Sequence, residues 1–407
     1  MPINVVQINL GNFGSTGSIM KNIIQNGKER GFRFLQMYPD SPHCQKEKGD
    51  FIICSYFWQR VYQKLYYYFG VSSCWNKLGT KRVIRRIKKF KPDIIHLHNL
   101  HNEYLDVFML FKFIQKNRIK VVWTFHDCWP FTGRCPHFVM INCNKWLTGC
   151  CECPYGEKEY PSTKLDKAAL MWKKKKDCFN GVDNLNIVTP SKWLSELVKK
   201  SFLNNHSVSV INNGINLNVF KPIESTFKED YHILNKHMLL AVSFDWGIKK
   251  GLDVIVKLSN VLPSDYQIVL VGVSDKDASL IPQNIITIKR THNQTELAKI
   301  YTAADLFINP TREDNYPTVN MEALACGTPV LTFKTGGSPE IVDNTCGSVV
   351  ECDDFDGFKN EIIRICDNKV FSRESCLKKA KSFDMFEQTK KYLELYSKIL
   401  NFSEKRD

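Results

Sequence analysis

The chain has 407 residues, a formal net charge of +14 and 15 cysteines. That length suits two domains, each able to bury a core of its own. At 43% hydrophobic and 24% charged residues the composition is that of a globular protein, and no uncharged apolar run approaches the roughly 20 residues of a membrane-spanning helix.

The start, Met1-Pro-Ile-Asn-Val-Val-Gln-Ile-Asn-Leu10, runs directly into a strand pattern, so no signal peptide is expected. An odd number of cysteines without an export signal points to reduced thiols or metal ligands and to the cytoplasm. Charge is uneven along the chain. Residues 1–200 hold 32 Lys and Arg against 15 Asp and Glu, a net of +17, while residues 201–407 hold 24 against 27, a net of −3. Such a positive half attracts an anionic partner: a membrane surface, a nucleic acid or a phosphorylated acceptor.

Short β-rich runs alternate with longer amphipathic stretches, the pattern of parallel α/β units. The first predicted strand, Val5–Leu10, leads into Gly11-Asn-Phe-Gly14-Ser-Thr-Gly17 and a helix near Ser18. Glycines there permit close backbone approach to a phosphate or sugar, but the spacing is not a dinucleotide fingerprint, so NAD is disfavoured. Residues 57–69 interleave aromatics with cations, and 81–91 have one basic and one apolar face. Such helices suit an anionic membrane surface, or else a solvated face over a core stripe. Next come predicted strands Asp93–Leu97, with His96 and His98 pointing the same way, and Val121–Phe125, running into Thr124-Phe-His126-Asp127. Strand ends of open α/β sheets line the ligand crevice, which makes His126 a site candidate.

Cys135, Cys143, Cys150 and Cys153 follow in a C-x7-C-x6-C-x2-C spacing. Four thiolates can hold a structural, non-catalytic zinc; buried free thiols and a disulfide are the alternatives. After a strand at Asn186–Thr189, residues 212–236 are polar, contain Pro222 and lack a period; they read as the interdomain connection. The second half carries predicted strands His237–Val242, Gln267–Val271, Ile285–Ile288, Leu306–Ile308 and Pro329–Phe333. Lys249-Lys250-Gly251 lies at a strand-to-helix turn, where a lysine can neutralise a diphosphate. Arg290 follows another strand.

The richest segment is Asp314-Asn-Tyr-Pro-Thr-Val-Asn-Met-Glu322, closed by Gly327-Thr-Pro and followed by Thr335-Gly-Gly-Ser-Pro-Glu340. Pro317 breaks the chain and Thr318–Ala325 reads as a short helix ended by Gly327, with Glu322 one turn in. Its N-terminus, at Pro317, Thr318 and Val319, suits a phosphate group. A carboxylate nearby accepts hydrogen bonds from sugar or ribose hydroxyls. Ser338 reads as an N-cap with Pro339 at the first helical position, and Glu340 serves either that helix start or a ligand. Tyr392, Leu395, Tyr396 and Ile399 mark a final helix.

The paired acids, the Gly-Thr-Pro and the Gly-Gly-Ser-Pro-Glu resemble the signature of retaining glycosyltransferases of family 4. His126-Asp-Cys-Trp-Pro-Phe-Thr-Gly-Arg-Cys135 resembles the cysteine-containing subgroup of bacterial capsule and exopolysaccharide enzymes. Two positions depart from the family pattern: Asp314, preceded by Glu313, stands where most members have Glu, and Asp245 stands where they have Arg. The resemblance implies a GT-B fold of two Rossmann-like, doubly wound domains facing a cleft. An acceptor domain would span 1–215 with a Cys-rich insertion near 128–154, and a nucleotide-sugar domain 216–383, with a terminal helix 384–402 returning to the first.

By the same resemblance His126 and Asp314 orient the donor sugar, the Gly14 loop and Lys250 flank the diphosphate, Arg290 reaches the base or ribose, and Glu322 holds the ribose. The leaving phosphate assists same-face attack, so no catalytic metal is expected. The donor is a nucleotide diphosphate-sugar and the acceptor a glycan or lipid-linked oligosaccharide, with the enzyme peripheral on the inner face of the cell membrane and no nucleic acid partner. Rival readings are a zinc-stapled binder of membrane or nucleic acid, and a GT-B epimerase or phosphorylase.

Overall fold

The computed structural model describes residues 2–155, 162–279 and 281–401; residue 402, the last of the predicted terminal helix, lies outside them. The chain divides into two compact units, one holding residues up to Asn212 together with the chain from Phe386 onward, the other Asn213–Met385.

In the first unit seven strands form one parallel sheet: β1 (Asn4–Ile8), β2 (Arg33–Tyr38), β3 (Phe51–Ile52), β4 (Ile94–Leu97), β5 (Lys120–Thr124), β6 (Leu185–Thr189) and β7 (Ser207–Val210). Their order is β3-β2-β1-β4-β5-β6-β7. Central strands are continuous apolar runs, such as Val5–Val6 and Ile94–Ile95, buried completely because helices cover both faces. β2, β3 and β7 escape the sequence reading: β2 mixes polar with apolar residues, β3 has two residues, and no residue of edge strand β7 is fully buried. The helix expected near Ser18 begins at Gly14. Gly17 lies in its first turn, where an added Cβ would stand 2.5 Å from the Asn12 carbonyl carbon.

The terminal helix Met385–Asn401 turns Tyr392, Leu393 and Tyr396 into a cluster with Val5, Ile23, Ile94 and Val122. The two basic stretches differ. Helix Lys77–Phe90 buries Gly79, Thr80, Val83 and Ile87, so its apolar stripe is core. Helix Tyr56–Phe69 buries Gln59 alone and leaves Tyr56, Phe57, Trp58, Tyr68 and Phe69 exposed.

In the second unit β8 (His237–Val242), β9 (Tyr266–Val271), β10 (Ile286–Ile288), β11 (Leu306–Asn309), β12 (Val330–Phe333) and β13 (Gly347–Val350) form a parallel sheet in the order β10-β9-β8-β11-β12-β13. Residues 213–236 are not a bare connection, as their polarity suggested. Ile215, Phe220, Phe227 and Ile233 are buried in this unit's core, so irregularly spaced apolar residues anchor a segment without a period. Strand order reverses between β1 and β4 in one unit and between β8 and β11 in the other. At such reversals connections leave toward opposite sheet faces and open a crevice beyond the strands' carboxyl ends.

Candidate active site

The reversal in the second unit gathers most of the predicted donor residues. β8 ends at Val242, and Trp246 anchors the following loop by donating its indole N–H to the Val271 carbonyl at 3.1 Å. A 3-10 turn, Ile248–Lys250, then leads through Gly251 into helix Leu252–Ser259. Gly251 has φ +74°, and a Cβ there would meet the Pro310 carbonyl at 2.2 Å, so this turn presses on the loop after β11. Arg312 joins the two loops: its guanidinium donates to the Ile248 carbonyl at 2.6 Å, to both oxygens of Asp253 at 2.8 Å and to Asp353 at 2.7 Å. Its backbone N–H adds a bond to the Lys249 carbonyl at 2.8 Å. Sequence reading missed Arg312 because an arginine in a loop carries no period or spacing signal.

This bracing sets the two acids apart. Lys250 Nζ donates to Asp314 Oδ2 at 2.7 Å, and both side chains remain a quarter or more exposed. Glu313 turns inward: its carboxylate is 1% exposed and lies 3.7 Å from Lys249 Nζ. Asp314 is therefore the acid with a solvent-facing carboxylate. Gly336 explains the Gly-Gly pair, since at φ +55° a Cβ would stand 1.8 Å from the Asp314 carbonyl oxygen. Only a glycine fits so close to that loop. Asp245, in the place of the usual Arg, lies in the same β8 loop, where its backbone N–H is held by Ser243 Oγ at 3.2 Å.

Helix Thr318–Ala325 forms as predicted, with Pro317 at its N-cap and Gly327 at φ +85° just past its end. The first-turn N–H groups of Thr318 and Val319 have no intrahelical acceptor by geometry. Glu322, half-buried, accepts from the Tyr301 hydroxyl at 3.1 Å and from Thr318. Burial raises its carboxyl to about 7, against the pull of those two donors. Tyr301 is fully buried and reads from sequence as helix core, which hides its second role.

One expectation needs correction. Ser338 is not the N-cap of its helix: Gly337 is, and the Ser338 hydroxyl is buried without a partner. Arg290 stands exposed after β10 at the edge of the sheet, and among the described residues no hydrogen bond or ion pair joins it to Lys250, Asp314 or Glu322. The spacing identified its strand but not that strand's place at the edge.

In the first unit the reversal carries a different chemistry. Gly14, at φ +66°, opens its helix with nothing crowding its Cα. Beyond β4 and β5, His98 Nδ1 lies 3.2 Å from His126 Nε2 and His98 Nε2 lies 2.9 Å from Gln7 Oε1. His96 is occupied by the Tyr396 hydroxyl at 2.5 Å and Thr124 at 2.8 Å. Burial pulls His96 down to about 3 and His126 to about 4, and holds His98 well below its ordinary range. His101 pairs with Asp127 at 3.0 Å, and the Trp129 N–H donates to the other Asp127 oxygen at 2.8 Å.

Cys135, Cys143, Cys150 and Cys153 are the residues expected to hold a structural zinc. All four are free thiols near one another, and burial followed by the neighbouring thiols pushes Cys135 up to about 12. Yet among the described residues no three His, Cys, Asp or Glu side chains gather so as to hold a metal ion. Packing organises this segment instead. Phe138 stacks on Trp146 and Phe131 packs against both at steep angles, and buried Lys175 Nζ donates to the Trp129 and Thr132 carbonyls at 2.7 and 3.0 Å.

Residues 20–219 match the sequence-family model described as Glycosyltransferase Family 4, and residues 236–368 the one described as Glycosyl transferases group 1. The putative colanic acid biosynthesis glycosyl transferase WcaC of Escherichia coli (strain K12) is 25% identical over 267 residues, covering 64% of this chain and 64% of that protein. An uncharacterized 41.2 kDa protein in the cps region of Klebsiella pneumoniae is 23% identical over 328 residues, covering 77% of this chain and 81% of that protein.

Among solved structures, sucrose-phosphate synthase from Thermosynechococcus elongatus superposes with a TM-score of 0.69 at 15% identity, covering 98% of this chain and 99% of that one. HepE of Anabaena in complex with UDP gives 0.69 at 14%, covering 98% and 100%. These likenesses are of fold. With both halves matched and the two parallel sheets shared with GT-B glycosyltransferases, the chain belongs to glycosyltransferase family 4.

Proposed function

We propose that this chain is a retaining glycosyltransferase that moves a sugar from a nucleotide diphosphate-sugar to a glycan acceptor, lipid-linked, in the assembly of a cell-surface polysaccharide. One observation carries the reading: Lys250 and Asp314 meet at 2.7 Å at the strand-order reversal, in the loop that leads into the helix bearing Glu322. Lys250 and the helix N–H groups of Thr318 and Val319 take the charge of the diphosphate. Glu322 accepts from the ribose hydroxyls and Asp314 orients the sugar, while His126 is the first unit's own candidate for a sugar contact.

In the transfer the bond from anomeric carbon to phosphate oxygen breaks as the acceptor oxygen bonds the same face. The acceptor's proton passes to the leaving phosphate, and a nucleoside diphosphate departs. HepE's structures with UDP and UDP-glucose, and the colanic acid and cps relatives, support the donor and pathway class. A structural zinc would require the four cysteines to close around the ion, and elemental analysis of purified protein tests for it.

We place the enzyme on the inner face of the cell membrane. Among the described residues no helix is long and apolar enough to cross a membrane. Exposed Phe57, Trp58, Tyr68 and Phe69 beside Arg60 and Lys64, with the net +17 of residues 1–200, support attachment to anionic lipid.

A thermal-shift panel of UDP-, GDP- and ADP-sugars, followed by assay of nucleoside diphosphate release, tests the function. One nucleotide class should stabilise the protein by several degrees and be turned over. A chain that binds no nucleotide sugar is not this enzyme.

A further inference from the structure

A cavity of about 390 Å³ lies wholly within the first unit, walled by helix Tyr56–Phe69, the loop after β4 and the segment after β5. Its lining includes Arg60, Gln63 and Tyr67 of the helix, Ser72 just beyond it, Glu103 and Trp129. That volume is enough for a small ligand. The helix's one buried residue shows how the wall is held: Gln59 donates to the Asn102 carbonyl at 3.1 Å and ties helix to loop. Asn102 and the adjacent Glu103 both hold left-handed φ, +75° and +64°. Two such residues in a row are costly for side chains other than glycine, and strain of this kind collects at ligand sites.

The wall suits an anion. Ser72 is 3% exposed, and among the described residues its hydroxyl has no hydrogen-bond partner. A buried donor in that state costs stability, which a bound acceptor oxygen restores. Arg60 donates to Gln63 Oε1 at 3.1 Å, which orients a guanidinium whose planar fork matches a phosphate. Glu103 is the only acid among the described lining residues. It is buried and accepts from the Ser73 N–H at 2.7 Å. Burial raises its carboxyl to about 8, against the pull of Ser73 and Lys175, so near neutral pH it is largely uncharged and repels an anion little.

Arg60 also connects the cavity to the outer face of the helix. Positions three and four apart are neighbours on a helix, so Arg60 stands beside exposed Phe57 and Lys64, with exposed Tyr68 one turn further on. Aromatics interleaved with cations seek the head-group layer of a membrane.

We propose that this cavity binds the phosphate of a lipid head group, with Arg60 and the Ser72 hydroxyl donating to its oxygens. The phosphate chemistry stands on the cavity alone; that a lipid brings the phosphate rests on the membrane placement proposed above.

The test is co-sedimentation of the full chain with phosphatidylcholine vesicles carrying a polyprenyl phosphate, against vesicles brought to the same surface charge with phosphatidylserine. The phosphate lipid should bind roughly 10-fold more tightly, the scale of one hydrogen bond to a charged group. Ser72→Ala should erase that preference and leave phosphatidylserine binding within about 2-fold, with Tm unchanged or higher, because it removes a buried hydroxyl that has no partner. Arg60→Lys keeps the charge without the fork and should lose most of the preference. Equal binding to both vesicles, or a preference that survives both substitutions, overturns the proposal. So does a fall in the Tm of Ser72→Ala that accompanies the loss, since Ser72 would then be structural. Binding to neither vesicle removes the membrane placement and the lipid source with it. In that case glycerol 3-phosphate reads the cavity alone: a thermal shift that Ser72→Ala cancels upholds the phosphate site, and no shift overturns it.

Discussion

The two strand-order reversals share a topology and differ in chemistry. In the second unit the loops hold formal charges set against each other: Lys250 with Asp314, and Arg312 with Asp253 and Asp353. In the first the strand ends hold neutral imidazoles and an amide joined in a buried line. Charge that stays partly hydrated can be handed to a dianionic ligand at small cost, whereas a buried neutral network fixes direction and tautomer. One reversal therefore offers the charges that the proposed diphosphate contact needs, and the other a neutral polar line.

The sharpest way to break this contrast is Asp314→Asn. Loss of one preorganised polar contact costs about 100-fold or more in turnover, and nucleotide affinity should change little. If steady-state rates and calorimetry show Glu313→Gln to be the damaging change instead, the buried acid and not the exposed one meets the sugar. Glu322→Ala should weaken nucleotide-sugar affinity about 10- to 100-fold, as loss of a hydrogen bond to a charged group does. Unchanged affinity by calorimetry removes the ribose role.

Opposite pH responses follow for the two units. Glu322 is raised to about 7 in the folded chain, so the fold binds its proton more tightly than the unfolded chain does. Its contribution to stability is therefore lost as pH rises from about 4.5 toward 7, and the ionised form that the proposed ribose contact needs appears over the upper part of that range. Donor affinity should rise between pH 6 and 8, and Glu322→Gln should flatten the profile.

His96, His98 and His126 are shifted the other way, so protons enter the unfolded chain first. The first unit should lose stability as pH falls from about 6.5 toward 4, by roughly 1.4 kcal/mol per pH unit for each imidazole. Hydrogen exchange should show β1, β4 and β5 opening at pH 5 before β8 and β11; simultaneous opening would contradict the contrast.

The smallest effect per residue belongs to the surface. Neutralising Arg82, Arg85 and Lys89 should weaken co-sedimentation with anionic vesicles by about 1 kcal/mol each, leaving nucleotide binding intact. Equal sedimentation with neutral vesicles would assign the positive charge to another anionic partner.

Local signals were strong where one short segment carried them. Pro317 and Gly327 bound the helix Thr318–Ala325, and apolar runs marked the central strands, because capping and burial on both faces leave their mark in adjacent residues. Weak local signals failed: two-residue β3, mixed β2, exposed β7 and the short β13 were unread.

By itself the sequence determined the alternation of strand and helix, the acid pair with its helix, and the family that those residues resemble. Tertiary structure alone decided which acid is open, since Arg312 and Gly336 brace the loop so that Glu313 turns inward and Asp314 outward. It also decided that Gln7, His98 and His126 form one line. Those three residues are 91 and 28 positions apart along the chain, and a hydrogen bond between parallel strands depends on strand order and register, which no local pattern encodes.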